Sequence, residues 1–170
     1  MITIYQARFV IPVTSNPIDY GAVAVKGCKI AEVDTFTKLK KLYPDANVVD
    51  VSDAIILPGF VNTHTHLELT DFHDKVRVGK DISFANWIQQ IPAIYRNFKK
   101  KDFVASIRNG ISELLRTGTV GIGDITSTGI SIKELIKSPL LGIVFKEVLD
   151  FDPENAASKL KNEIEKITKW

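Results

Sequence analysis

Cysteine is almost missing from this chain. Cys28 is the only one in 170 residues, so no disulfide can form within it, which fits a reducing compartment such as the cytoplasm. Histidine is nearly as scarce, with three in all and none after His73. No apolar run approaches the roughly 20 residues that a membrane-spanning helix needs. The opening residues, Met1 to Arg8, lack the charged region, apolar core and small-residue cleavage site of a signal peptide. Excess charge is missing too: the net charge of +2 makes no electrostatic case for nucleic acid or an anionic membrane. The short basic run Lys99-Lys100-Lys101 reads as a solvated linker between helical patterns. These absences predict a cytoplasmic protein without membrane or nucleic-acid partners.

What is present suits a globular domain, with 45% hydrophobic and 25% charged residues. Residues 1–55 read as short strands. Ile2, Ile4 and Phe9-Val10-Ile11 open the chain. Gly21–Val25 and Lys29–Val33 form a hairpin pattern about Gly27, Phe36–Leu42 is a short helix ending near Pro44, and Val48–Val51 returns as a strand. Nothing in this part carries chemistry.

From residue 56 onward, strand and helix patterns alternate. Ser83 caps a helix with Phe84, Trp87, Ile88, Ile91, Ile94, Tyr95 and Phe98 on one face predicted to be buried, and Pro92 should kink or split it. Asp102 is expected to cap the next helix, which Gly118 ends. Thr119 to Asp124 is a second strand, Ile132–Ile136 a short helix, and Leu140–Leu149 an apolar run suited to a strand buried on both faces. Asp152-Pro153 opens a last helix with Ala156, Ala157, Leu160, Ile164 and Ile167 as its buried stripe and Glu165–Lys169 as an i,i+4 pair.

The chemistry concentrates in Ile55 to Glu68, where an apolar run breaks at Pro58-Gly59, resumes as Phe60-Val61 and ends in His64-Thr65-His66. Strand side chains alternate faces, so His64 and His66 point the same way, with Glu68 beside them if the strand continues. Two imidazoles on one face can hold a divalent metal such as zinc or iron, but a site needs about four ligands. Asp124 and Glu147 close later strands as second carboxylates, able to reach substrate or to bond to nearby backbone.

Leu57-Pro58-Gly59-Phe60-Val61-Asn62-Thr63-His64-Thr65-His66-Leu67-Glu68 resembles, nearly residue for residue, the first-strand signature of the amidohydrolase superfamily, metal-dependent hydrolases built on a (β/α)8 barrel. The branch it is most similar to deaminates purine-type bases, nucleosides and related small molecules; triazine chlorohydrolases share the same first strand. The resemblance implies an α/β fold: the first part, about three strands, of a metal-dependent (β/α)8 barrel over 56–170, preceded at 1–55 by the N-terminal half of a composite β-sandwich. It implies that His64 and His66 are metal ligands for zinc or iron, and that the substrate is a small amino-purine or adenosine-like molecule. Phe84-Ala85-Asn86-Trp87-Ile88 resembles a helix that follows the metal strand in this branch, which makes Trp87 a substrate contact or else a core aromatic. His73 falls in the loop that forms part of the substrate mouth, and is otherwise a surface residue. Glu68 is the carboxylate best placed to orient a ligand or touch substrate. Lys146 has the residue type of the carbamylated lysine in two-metal relatives, but stands on the wrong strand by count.

The family pattern also includes a histidine on each of two later strands, a late aspartate and a proton-shuttling glutamate, and no residues here match them. No catalytic acid or base can be assigned. Roughly 115 residues follow the first module where a full barrel takes about 250. Two expectations follow. Either the chain is the N-terminal portion of a hydrolytic deaminase whose remaining barrel comes from another chain or a homo-oligomer, or it is a non-catalytic interaction module that completes its fold with another chain. Both predict exposed sheet edges and a bare apolar face.

Overall fold

A computed structural model describes residues 1–149 and 152–168. The chain divides into two compact units, Met1–Pro58 and Gly59–Trp170, each with its own hydrophobic cluster.

In the first unit, β1 (Ile2–Gln6), β2 (Phe9–Val10), β3 (Ile18–Asp19), β4 (Gly21–Lys26), β5 (Lys29–Thr35), α1 (Phe36–Leu42), β6 (Asn47–Asp50) and β7 (Ile55–Ile56) follow one another. They form two small sheets, ordered β5-β4-β1-β6 and β3-β2-β7. The β4–β5 hairpin pairs antiparallel about the glycine turn that the sequence predicts. Ile4, Ala22 and Ala24 point to one side of the larger sheet and close over Leu39 of α1; all four are essentially inaccessible to water. Period-two alternation in the strands and a single helical apolar stripe suffice to build this core.

The second unit is a parallel sheet in the order β10-β9-β8, made of β8 (Phe60–Thr65), β9 (Thr119–Thr126) and β10 (Leu141–Lys146). After β8 comes a 3-10 turn at Leu67–Phe72, then α2 (Phe84–Ile88), α3 (Ile91–Asn97) and α4 (Lys100–Arg116); α5 (Ser131–Ile136) links β9 to β10, and α6 (Ala156–Ile167) is last. Its core joins Leu67 of the 3-10 turn, Ile107 and Ile111 of α4, Ile122 of β9, and Leu135 and Leu140. Gly110 lets the 3-10 turn approach α4, because a Cβ there would stand 2.4 Å from Thr70 Oγ1. Gly118, with φ of +87°, ends α4 in a left-handed conformation that favours glycine. Its carbonyl accepts the Phe60 N–H at 2.9 Å.

Several expectations change. The helix opened by Ser83, whose Oγ accepts the Asn86 N–H, splits into α2 and α3 before Pro92, and neither piece buries a residue fully. Lys99 rather than Asp102 holds the N-cap position of α4; Asp102 sits three residues on, its carboxylate accepting the Lys99 N–H at 2.8 Å. β10 is an edge strand rather than one covered on both faces: Leu141, Ile143 and Phe145 are 75%, 66% and 48% exposed. The apolar stripe of α6 is exposed at Leu160, Ile164 and Ile167, and the helix buries only Glu163. The expected Glu165–Lys169 pair lies outside the described residues.

Candidate functional site

β8 stops at Thr65, and the 3-10 turn begins two residues later. His64 therefore leaves the strand at its C-terminal end, with its N–H held by Asn62 Oδ1 at 3.1 Å, and His66 sits at the bend. Their rings lie 5.3 Å apart between centroids, tilted by 54°. Both face a cavity of about 650 Å³ lined by the C-terminal ends of the three strands and by α2 and α3. Two neighbouring imidazoles can serve zinc or iron as part of a donor set. Among the described residues no group of three or more histidine, cysteine, aspartate or glutamate side chains is placed to hold a metal ion, so the pair is a fraction of a site.

One wall of the cavity is apolar, built by Phe84, Trp87, Ile88, Ile91 and Pro92; Phe84 and Trp87 pack ring to ring at 5.8 Å. Two of the residues expected to form a buried helix face are instead open, Phe84 at 74% and Ile88 at 42% exposed, because they border this space. Trp87 stands in the wall. His73 does not: it is exposed, its Nδ1 2.8 Å from the Thr70 carbonyl and its Nε2 paired with Asp74.

The polar part of the lining includes Glu68, which is 2% exposed. The strand does not carry Glu68 onward beside the histidines; the 3-10 turn swings it inward. Its carboxylate accepts hydrogen bonds from Tyr95 Oη at 2.7 Å, from the Ser127 and Thr128 N–H groups at 3.2 and 3.1 Å, and from the Thr126 and Thr128 hydroxyls. Five donors on one buried carboxylate compensate its desolvation. Burial and the adjoining Glu68 carboxylate push the Tyr95 hydroxyl far above the usual phenol range, which keeps it a donor. Asp124 is fully buried beneath the site, where its Oδ1 accepts the Leu67 N–H at 3.0 Å. Burial raises its carboxyl above the ordinary value, against the pull of the neighbouring Ser131 hydroxyl and that N–H. Asp124 therefore braces the 3-10 turn and does not reach the cavity.

Lys146 is committed elsewhere. Its ammonium donates to the Ser127 and Glu147 carbonyls at 2.9 and 2.8 Å and pairs with Glu163 at 3.2 Å, so it has no place on the cavity wall. Tyr95, Ser127 and the apolar Leu149 also line the cavity, and Thr128 donates to Glu68; the sequence marked none of them as site residues. The one visible signal was Thr126-Ser127-Thr128, three hydroxyl side chains in succession after a strand.

The chain is similar in sequence to known hydrolases. Residues 55–169 match the amidohydrolase family. The chain belongs to that family. It is 31% identical over 121 residues to the aminodeoxyfutalosine deaminase of a Nitratiruptor species, covering 71% of this chain and 29% of the relative. It is also 31% identical over 135 residues to an adenosine deaminase of Helicobacter pylori, covering 77% and 31%. The structure of H. pylori aminofutalosine deaminase in complex with methylthio-coformycin superposes with a TM-score of 0.74 at 26% identity, covering 96% of this chain and 40% of that one. The chain thus spans about a third of the length of these curated relatives. Members of the family are typically metal-dependent.

Proposed function

We propose that this chain provides the first-strand portion of the active site of a hydrolytic deaminase acting on an amino-purine or adenosine-like compound. His64 and His66 are its share of the ligands to one divalent metal, zinc or iron. The observation that carries the reading is the His64–His66 pair at the C-terminal end of a parallel strand, opening onto a cavity with an aromatic wall. Bound there, such a metal lowers the pKa of water and supplies a nucleophile at neutral pH. Phe84 and Trp87 offer flat apolar surface to a heterocyclic base. Glu68 holds Tyr95 and the loop after β9 in place. The remaining donors and the acid/base groups come from another polypeptide segment or a second chain, which completes a (β/α)8 barrel against the bare side of β10.

Metal analysis by mass spectrometry, beside the native oligomeric mass, tests this. About one zinc or iron per chain is expected, with most of it lost in His64→Ala and in His66→Ala. A folded protein without metal sinks the reading.

The uncovered apolar side of β10 and the stripe of α6 favour a second reading, a non-catalytic module that completes its fold with another chain. A metal-free oligomer whose stability is unchanged by loss of both histidines is its signature.

A further inference from the structure

Two carboxylates border the cavity, and their surroundings differ. Glu68 is saturated: five donors converge on it, and it is sealed from water. A ligand could reach it only by breaking bonds already made, which costs more than a new contact returns. Glu147, at the end of β10, is half satisfied. The Ser127 hydroxyl donates to its Oε2 at 2.7 Å, and no described group donates to its Oε1. Its backbone is clamped, with its N–H on the Thr126 carbonyl at 2.9 Å and its own carbonyl accepting Lys146 Nζ. The Lys146 charge is spent on Glu163, so it does not neutralise the Glu147 carboxylate. The result is a fixed acceptor on a cavity wall with one oxygen to spare.

We propose that Glu147, not Glu68, is the carboxylate that meets the substrate, and that it accepts hydrogen bonds from the hydroxyl groups of a sugar ring. Arg96 borders the same cavity, and its cation disfavours a positively charged group as the donor, leaving neutral hydroxyls or an amino group. With a planar base against Trp87 and its reacting edge toward His64 and His66, the sugar of a nucleoside extends along the polar part of the lining past Ser127 to Glu147. Glu147 is then a specificity-determining residue, separating nucleosides from free bases, while Glu68 is a positioning residue. The identity of the ligand rests on the deaminase reading above.

The test titrates adenosine, 2′,3′-dideoxyadenosine and adenine by calorimetry into the full chain and into Glu147→Gln, Ser127→Ala and Glu68→Gln. The intact protein should bind adenosine roughly tenfold more tightly than the dideoxy compound, as expected for hydrogen bonds to a charged acceptor. Glu147→Gln should remove most of that preference while leaving dideoxyadenosine and adenine unchanged, and Ser127→Ala should reduce it less. Glu68→Gln should weaken all three ligands alike. Equal weakening of adenosine and dideoxyadenosine by Glu147→Gln overturns the proposal, as does a wild type without the preference or without adenosine binding. An adenine-binding protein that loses adenine in Glu147→Gln also overturns it, since the acceptor would then serve the amino group. Metal content separates the two claims. A metal-loaded protein indifferent to Glu147→Gln keeps the deaminase reading and loses this one, while a metal-free protein with Glu147-dependent sugar preference does the reverse.

Discussion

α4 and α6 carry the same kind of apolar stripe, at spacings of three and four, and meet opposite fates. α4 buries Phe103, Ser106, Ile107, Gly110 and Ile111 against the 3-10 turn, β9 and α5. α6 leaves Leu160, Ile164 and Ile167 in solvent, and its one buried residue is charged. Glu163 reaches Lys146 at the end of β10, so α6 is tethered by an ion pair where α4 is seated by a core. An amphipathic pattern states which face wants covering. It does not state that a cover is present.

The sharpest way to break this contrast is the same truncation in both helices. Ile107→Ala should cost about 2–5 kcal/mol, because the side chain is fully enclosed and its loss leaves a cavity. Ile164→Ala should stay within about 0.5 kcal/mol, as for an exposed site. Urea unfolding of both variants measures the difference, and equal losses would mean that α6 has a cover in solution.

A smaller effect concerns acid. The Lys166 hydrogen bond, and after it the ion pair with Lys146, holds the Glu163 carboxyl below its ordinary value of 4.5. A carboxyl with a lowered native pKa adds stability that is present above the unfolded value and is lost as pH falls through the native one. The docking of α6 should therefore persist at neutral pH and fade below about pH 4.5, seen as faster amide exchange confined to 156–167. Glu163→Gln should give the fast-exchanging state at all pH values. Exchange in α4 should change much less over the same range.

The smallest effect on stability, and the most telling about surfaces, comes from β10. Ile143→Lys should shift unfolding by no more than about 0.5 kcal/mol, since the side chain is 66% exposed. It should nevertheless reduce self-association measured by light scattering, as a charge on an edge strand does. Strong destabilisation would show that another polypeptide already covers this face.

Much of the fold was legible from residue pattern. The glycine turn between β4 and β5, the split ahead of Pro92, the Ser83 cap and the Gly118 terminus are local events, fixed by backbone geometry over four or five residues. The Asp102 cap missed by three residues, because a carboxylate at the third helical position bonds back to the N-cap as readily as one at the cap itself bonds forward. In the site, the closeness of His64 and His66 was legible because one residue separates them, although β8 ends at Thr65 and His66 already stands at the bend. The sequence left the position of Glu68 conditional on β8 running on; β8 ends at Thr65, and the 3-10 turn that follows is held by Asp124 and Ser106 from elements far along the chain.

The sequence by itself determined the family signature, the order of strands and helices, and the closeness of the two histidines, since these depend on neighbours within a few bonds. Only the tertiary structure decided which carboxylate is sealed and which has an oxygen to spare. Hydrogen-bond saturation is a property of groups brought together from residues 68, 95, 126–128 and 147, and no local rule counts donors across that separation.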